Sequence, residues 1–295
     1  MKQQIRFLMS SAVVAVALAA SAAVLFAQWA DYPTAGPRNS GGKIDLTAPP
    51  PRTADGKIDF SGLWEQARGP GRGGAQAKGA KGKGTPPPPP PPARPAANND
   101  PPLAQFFNIG AGLEGGLPPM TPWAAQLRAQ RKADDNKDNP DAHCLPLGLT
   151  QLHMHPQPRK ILQTPRAIAI LYEANGNVRQ ILTDGRSLPK NDPVPWWYGY
   201  SVGHWEGDTL VVETTGFRDD VWLDVEGSPL TSTGKITERW RRPNFGSMQI
   251  DITVEDPKAY TKPFTVRVNH RLMPDTELME FVCEERDAVH YVGKK

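Results

Sequence analysis

The feature that most constrains the fold is a long stretch, from Lys160 to Glu284, in which apolar and polar side chains alternate. Its middle part shows the pattern best: GYSVGHWEGDTLVVETTGF reads as strand, tight turn and strand, and a third strand, GKITERWRR, follows a polar loop. Alternation rich in β-branched and aromatic residues is typical of strands that bury one face. The core of the chain is therefore predicted to be antiparallel β.

Turn signals divide this stretch into about nine strands. They are predicted over Lys160–Gln163, Ala167–Glu173, Val178–Asp184, Tyr200–Trp205, Thr209–Thr215, Lys235–Arg241, Met248–Glu255, Phe264–Leu272 and Leu278–Glu284. Mostly short connections favour an all-β fold, an antiparallel lipocalin-like barrel, and a two-sheet β-sandwich is the alternative. One short helix is predicted before the barrel, because Thr121 is a good N-cap and proline follows it; this helix ends near Lys132.

The chain before the barrel falls into four parts. Residues 1–27 are typical of a signal peptide, because Lys2 and Arg6 precede an apolar, alanine-rich run; an uncleaved anchor is the alternative. Residues 28–67 are predicted to form an extended arm, in which the motif PRNSGGKIDLT recurs as PRTADGKIDFS. Residues 68–102 are predicted to be a disordered linker, rich in Gly, Ala and Lys and then in Pro. Residues 103–159 carry the helix and lead into the barrel domain, 160–295.

The two cysteines of the chain, Cys144 and Cys283, bear on its location. In an exported protein such a pair usually forms a disulfide, and two buried free thiols are the alternative. With the signal peptide, the pair predicts a periplasmic or secreted protein that contains one disulfide.

The charge of the chain bears on its partners. The formal net charge is +3, and much of the basic excess lies in the linker. A flexible basic tract without interleaved aromatic residues does not favour nucleic acid as a partner. A small-molecule ligand is the expected partner, with weak contact between the linker and the envelope or membrane surface as a further one.

Two ionisable side chains lie on faces that the alternation assigns to the barrel interior. Glu238 shares its face with Ile236 and Trp240, and His270 lies on the apolar face of its own strand with Val268. A buried carboxylate needs a partner, and a Glu/His pair can move protons in catalysis. Both are therefore candidate catalytic residues. A structural hydrogen bond is the alternative, because the alternation does not give the strand order that decides whether they meet.

Further candidates lie at strand ends and loops, where the mouth of a barrel would be. The catalytic candidates there are Asp184 and Asp224, and the ligand-binding candidates are Arg186, Trp196, Trp197, Tyr198 and Trp222. Aromatic side chains at a pocket mouth stack on sugars or ring compounds. A hydrophobic plug that closes the barrel end is the alternative role for the aromatic residues.

Metal and cofactor chemistry have little support in the sequence. His153 and His155 are the metal candidates, since two histidines at i and i+2 of an extended segment can share a metal, but no carboxylate follows at a recognised spacing. The chain has no G-x-S-x-G, no P-loop, no H-E-x-x-H and no dinucleotide fingerprint. We therefore expect no metal and no cofactor.

Four segments are distinctive beyond their strand pattern: DGKIDFSGLW from Asp55, TDGR from Thr183, WEGDTLVV from Trp205 and DPKAYTKP from Asp256. Through them the chain resembles an uncharacterised family of exported β-rich proteins of soil bacteria. The resemblance covers the arm and roughly residues 118–294. It implies export and the domain limits, and it implies no reaction.

Three functions are compatible with these patterns. The first is an exported barrel that binds a small amphipathic, aromatic or carbohydrate ligand. The second is a cofactor-free isomerase, lyase or hydrolase that uses the inward Glu/His pair in the same barrel. The third is a structural protein associated with the envelope.

Overall fold

The computed structural model describes residues 33–67, 100–190 and 194–283. The predicted signal peptide and nearly all of the predicted linker lie outside these ranges. The strands are β1 (Gly62–Gln66), β2 (Arg159–Gln163), β3 (Ala167–Tyr172), β4 (Val178–Leu182), β5 (Tyr200–Glu206), β6 (Thr209–Thr215), β7 (Val221–Trp222), β8 (Pro229–Leu230), β9 (Lys235–Asn244), β10 (Ser247–Glu255) and β11 (Phe264–Leu272). The helices are α1 (Pro122–Ala133) and α2 (Leu149–Met154), with 3-10 turns at Glu114–Gly116, Pro140–His143 and Ala174–Gly176.

Nine of these strands form a closed barrel, in the order β1-β11-β10-β9-β6-β5-β4-β3-β2, while β7 and β8 pair with each other. The predicted all-β barrel is confirmed, and the closure of the sheet excludes the sandwich. Closure leaves no free sheet edge, which suits a chain with this many short strands. Within the described strands, one barrel pair departs from the antiparallel pattern: β4 and β5 run parallel.

The strand that closes the barrel comes from the arm and not from the end of the chain. β1 pairs with both β2 and β11, so that Trp64 lies opposite Arg159 on one side and Leu272 on the other. The strand predicted over Leu278–Glu284 is wrong, because its described residues 278–283 form no strand. The edges of β2 and β11 that such a strand would need are already occupied by β1.

The alternation that predicted the barrel also fills its interior. On β9 the side chains of Ile236, Glu238, Trp240 and Arg242 are buried, and the residues between them are not. Burying one large apolar side chain of this kind stabilises the fold by about 1.5–3 kcal/mol. The interior therefore contains both apolar and charged groups, and the charged ones need partners.

Helix α2 was not predicted from the sequence, and all of its side chains are buried. Thr150 Oγ1 donates to the carbonyl of Leu223 at 2.6 Å, and Gln151 Nε2 donates to that of Trp222 at 3.1 Å. The side chain of His153, near the end of the helix, reaches Glu238 on β9. α2 thus brings a polar side chain against the interior face of the barrel.

The repeated motif of the arm forms two similar hairpins. The arginine of each copy bonds back to its own turn: Arg38 Nη1 donates to the Gly42 carbonyl at 2.8 Å, and Arg52 Nη1 donates to the Gly56 carbonyl at 2.9 Å. Both glycines have positive φ, +74° and +80°, a backbone conformation that glycine adopts at little cost. The isoleucine of each copy, Ile44 or Ile58, is buried. The two hairpins therefore dock through equivalent residues.

Cys144 and Cys283 form a disulfide, with their Cα atoms 5.5 Å apart. The predicted pairing is confirmed. It joins the segment between α1 and α2 to the chain beyond β11, across a sequence separation of 139 residues. Closing a loop of this size stabilises a fold by roughly 4–5 kcal/mol in the chain-entropy model.

The chain divides into two compact units, and all the elements above belong to the larger, 36–273 with 278–295. The described part of the smaller unit is 33–35 with 274–277, and it contains reciprocal hydrogen bonds between Thr34 and Asp275 at 2.9 and 2.8 Å. Within the described ranges, neither α1 nor α2 has the length and apolar character that a membrane span requires.

Candidate functional site

A buried charge network lies in the barrel around Glu238. Its carboxylate has no exposed surface and receives both terminal nitrogens of Arg179, from β4; Nη1 donates to Oε1 at 3.1 Å and Nη2 donates to Oε2. His153 Nε2 lies 2.7 Å from Glu238 Oε1, and Trp240 Nε1 donates to the same oxygen at 3.3 Å. The histidine partner of Glu238 is therefore His153 and not His270.

The pKa values within this network follow from burial and from the paired charges. Burial alone would raise the pKa of Glu238, but Arg179 and His153 lower it to about 2. Burial lowers the pKa of His153, and Glu238 offsets this in part. For Arg179, burial acts against the charge but Glu238 outweighs it, so its pKa is raised. At neutral pH the network thus holds an ionised Glu238, a charged Arg179 and a neutral His153.

His270 belongs to a second group of contacts next to the first. Arg159 Nη1 lies 2.6 Å from His270 Nε2, and the rings of His153 and His270 are 6.1 Å apart. Arg159 also donates to the carbonyls of His153 at 2.8 Å and His155 at 2.7 Å, at the end of α2. A cation is favourable there because helix carbonyls carry partial negative charge. Burial, followed by Arg159 and His153, holds the pKa of His270 well below its usual range.

Hydroxyl groups surround Arg179 on its other side. Its Nη2 donates to Ser201 Oγ at 3.1 Å and to Thr214 Oγ1 at 3.2 Å, and the two hydroxyls lie 2.9 Å apart. Burial raises the pKa of the nearby Tyr172 hydroxyl to about 12, and the charge of Arg179 opposes this rise.

A cleft of about 320 Å³ opens in the barrel wall where β4 meets β5. The parallel pair is in register over two residue pairs, Ile181 with Ser201 and Leu182 with Val202. Before these residues β4 and β5 do not pair with each other, and the cleft lies in the gap between them. Its lining consists of Val178, Arg179, Gln180, Leu182, Trp196, Trp197, Tyr198, Gly199, Tyr200 and Ser201. The cleft therefore links the predicted aromatic loop to the charge network, through Arg179 and Ser201.

Gly199 determines the shape of the chain beside this cleft. Its φ is +65°, and a Cβ atom there would lie 2.5 Å from Thr214 Cγ2 and 2.7 Å from the Thr215 carbonyl oxygen. Both the backbone conformation and the close approach require glycine. The position of the aromatic loop thus depends on this residue.

The predicted aromatic residues have different surroundings. Trp196 is 49% exposed, and Trp197 packs under the Arg218 guanidinium, 4.6 Å from the ring centre. Together with Tyr198 they line the cleft. Trp222 does not lie at an open mouth: it is 2% exposed and covered by Arg131 at 4.3 Å. A second cavity, of about 350 Å³, lies between Trp197 and Trp222.

Asp224, predicted at the barrel mouth, is instead fully buried. Its carboxylate accepts hydrogen bonds from the backbone of Ile109 at 2.9 Å and from the backbone and hydroxyl of Ser228 at 3.0 and 2.7 Å. Burial raises its pKa, and these donors oppose the rise. Because its three hydrogen-bond donors come from two loop segments, the buried Asp224 carboxylate holds these segments together.

Asp184 and Arg186 pair with each other near the cleft. Arg186 Nη2 donates to Asp184 Oδ2 at 2.6 Å, and its Nη1 donates to the Tyr200 hydroxyl at 3.1 Å. The hydrogen bonds from Arg186 lower the pKa of Asp184 to about 2. The pair is outside the network of Glu238, and it fixes Tyr200 at the edge of the cleft.

His153 and His155 do not share a metal site. The segment is helical up to Met154, so that residues two apart point in different directions, and not extended as predicted. His153 binds Glu238, while the ring of His155 packs edge-on against Phe106 at 5.0 Å. Among the described residues, no group of three or more His, Cys, Asp or Glu side chains is arranged to hold a metal ion.

Sequence reasoning did not select Arg179, Arg159, Ser201 or Thr214. The signal for Arg179 was present: in VRQIL, alternation places Arg179 and Ile181 on the same face, and both are buried. A charged residue on an apolar strand face marks a buried ion pair in the way that Glu238 did. Comparisons with protein-family models, with curated proteins and with solved structures give no match to this chain.

Proposed function

We propose that this protein is an exported barrel that binds a small aromatic or amphipathic ligand in the wall cleft. The observation that carries the proposal is the cleft itself, about 320 Å³ in volume and lined by Trp196, Trp197, Tyr198 and Tyr200. A concave site of this size with aromatic walls and a few polar groups is typical of small-molecule binding. Planar ligands, including the rings of carbohydrates, stack on such side chains.

The charge network supports a binding role more than a catalytic one. A general acid or base works best with a pKa near the working pH. The pKa of Glu238 is about 2, and that of His153 is lowered as well, so neither group changes protonation near neutral pH. Both are also completely enclosed. The network therefore acts as a rigid support for the cleft. The hypothesis of a cofactor-free enzyme has less support than the hypothesis of a binding protein.

Export is part of the same proposal. The sequence of residues 1–27 is typical of a secretory signal. The Cys144–Cys283 disulfide is consistent with an oxidising compartment, such as the periplasm or the exterior. Mass spectrometry of protein recovered from the periplasm and medium tests this directly. The expected product is a mature protein from which residues 1–27 have been removed.

Binding is tested with 2-naphthol and cellobiose as probes, by isothermal calorimetry on the oxidised protein. We expect at least one probe to bind, and Trp196→Ala to weaken binding about tenfold, because an aromatic contact contributes about 0.5–1.5 kcal/mol beyond the buried area. Trp123→Ala is the matched control, because Trp123, on α1, is also exposed but lies away from the cleft, with Lys258 Nζ 5.1 Å from its ring centre. Binding that is equally affected by both substitutions, or no binding of either probe, would contradict the proposal.

A further inference from the structure

The barrel is closed, but its ladder of hydrogen bonds is incomplete where β4 meets β5. β4 pairs with β3 over its whole length, from Val178 to Leu182. Its other edge pairs with β5 over two residues, Ile181 and Leu182. Among the described residues, no strand pairs with that edge from Val178 to Gln180, and both of these residues line the cleft. The cleft therefore lies against a short free strand edge.

The bonds at the two ends of the β3–β4 pair show which backbone groups lie on the free edge. Just before β4, Tyr172 N donates to the Asn177 carbonyl at 2.8 Å. Just after it, Thr183 N donates to the Arg166 carbonyl at 2.9 Å. Along an antiparallel pair, hydrogen-bonded residue pairs alternate with non-bonded ones. The odd-numbered residues of β4 therefore bond to β3, and the even-numbered residues, Val178 among them, point their N–H and C=O groups the other way.

Three backbone groups of β4 are left without a partner among the described residues. They are the N–H and C=O groups of Val178 and the N–H group of Gln180. The carbonyl of Gln180 is taken by β5, because the parallel register of Ile181 with Ser201 bonds it to the Ser201 N–H group. Unpaired N–H and C=O groups along a strand are a template on which another extended chain can pair.

The side chains next to this edge are uncharged or already paired. Val178 is 52% exposed and Trp196 is 49% exposed, and both line the cleft. The Arg179 guanidinium, on the interior face of β4, is enclosed and bonds to Glu238 and to two hydroxyl groups. What the cleft offers a ligand is therefore backbone hydrogen bonds beside exposed apolar and aromatic surface.

We infer that the ligand of the cleft is a short peptide in extended conformation, which pairs with the free edge of β4 and carries an aromatic side chain against Trp196. This inference rests on the proposed function and adds the chemical class of the ligand to it. Strand addition of this kind gains affinity from main-chain hydrogen bonds and specificity from alternate side chains. Three residues of a strand span about 10 Å, so the free edge matches a peptide segment of about three residues.

The first test uses the peptide acetyl-Thr-Tyr-Thr-Tyr-Thr-amide and two N-methylated forms of it, measured by calorimetry on the oxidised protein. One form is methylated on both tyrosine nitrogens, and the other on all three threonine nitrogens. In an extended chain these two sets of N–H groups lie on opposite edges, and one edge faces β4. We expect one form to bind like the parent peptide. The other should bind about tenfold more weakly, because it loses the hydrogen bond to the Val178 carbonyl and places a methyl group between the strands.

The outcomes separate this inference from the proposed function. Equal affinities of the three peptides, or equal losses in both methylated forms, would overturn the inference. If no peptide binds while 2-naphthol or cellobiose does, the inference fails and the proposed function stands. If neither the peptides nor those two probes bind, the proposed function fails as well.

Gln180→Pro tests the free edge from the side of the protein. It removes an unpaired N–H group and no bond to β3, and proline is tolerated in strands where the N–H group is unpaired. We expect the variant to keep the fold and to bind the peptide about tenfold more weakly, because a donor is lost and the proline ring stands at the edge. Gln180→Ala is the matched control, since it keeps the N–H group and should bind like the wild type. Peptide binding unchanged in Gln180→Pro would contradict the assignment.

Hydrogen exchange of the wild type, followed by NMR, gives a measurement that does not depend on how the variant folds. The amides of Val178 and Gln180 should exchange quickly in the free protein and become protected at saturating peptide, whereas that of Ile181 should be protected in both states. No gain of protection at Gln180 would overturn the inference. A wild type that is dimeric in size-exclusion chromatography, and monomeric as Gln180→Pro, would overturn it too, because a second copy would then occupy the edge.

Discussion

Replacing Glu238 by glutamine tests whether the buried network supports the fold. The substitution keeps the size of the side chain and removes its charge, which leaves Arg179 without its counter-ion at a site where it is 1% exposed. The glutamine also has one acceptor oxygen in place of the two that face Arg179 and His153. An uncompensated buried charge is among the most destabilising changes that a single substitution makes.

Two independent arguments give the magnitude. Breaking a buried ion pair by removing one partner typically costs about 3–5 kcal/mol. The pKa of Glu238 is about 2 in the folded protein, against an ordinary value of 4.5, and this difference corresponds to about 3 kcal/mol of stability at neutral pH. We therefore expect Glu238→Gln to lower the free energy of unfolding by roughly 3 kcal/mol and the thermal midpoint by roughly 6–12 °C.

The pH dependence supplies a signature that is specific to the carboxylate. Because the pKa of Glu238 is lowered by folding, its contribution is fully present above about pH 4.5 and is lost as the pH falls toward about 2. The difference in stability between wild type and Glu238→Gln should therefore shrink steadily over that range. Urea unfolding followed by tryptophan fluorescence, repeated at several pH values, measures it.

Glu206→Gln is the matched control, because Glu206 pairs with Arg239 on the exposed face of the same sheet. Ion pairs in solvent contribute little, so this variant should unfold like the wild type. Removing both charges, with Arg179→Met and Glu238→Gln together, should recover much of the loss. If Glu238→Gln were as stable as the wild type at neutral pH, the network would not be the support that we describe.

Three further predictions concern other parts of the fold. Cys144→Ala should lower the free energy of unfolding by about 2–5 kcal/mol, and unfolding insensitive to reductant in the wild type would contradict this. Gly199→Ala should cost about 1–3 kcal/mol and weaken ligand binding in the same calorimetric assay, because it strains the chain beside the cleft; a normal thermal midpoint would oppose this. Ser228→Ala should cost about 1–3 kcal/mol in urea unfolding, since the buried Asp224 loses a donor, and no change would argue against the anchor role.

Alternation alone was sufficient to place individual side chains. It assigned Glu238 and His270 to the interior, where both are buried. It did not show that His153 lies between them, because contacts across a barrel interior depend on strand order and on what enters the barrel end. The partner came from a short helix whose pattern, His-Met-His before proline, is indistinguishable from an extended segment over so few residues.

The loops were harder to predict for a related reason. Trp222 and Asp224 looked like residues of an open mouth, and both are buried. Their burial depends on Arg131 from α1 and on the backbone of Ile109, which lie far away in sequence. Trp196 and Trp197 line the cleft, and their role in binding stays a prediction. The resemblance to exported β-rich proteins stays a prediction.

The insertion of β1 between β2 and β11 affects when the barrel can form. Trp64 precedes the rest of the barrel in the chain, yet one of its two neighbours, Leu272, is on the last strand. Synthesis must therefore reach Leu272 before the ring can be completed, and contacts between such distant residues make folding slow. A chain truncated before Phe264 would leave the edges of β1 and β10 exposed for pairing with other copies. The arrangement delays completion of the barrel until β11 has been synthesised, which keeps the chain incompletely folded up to that point.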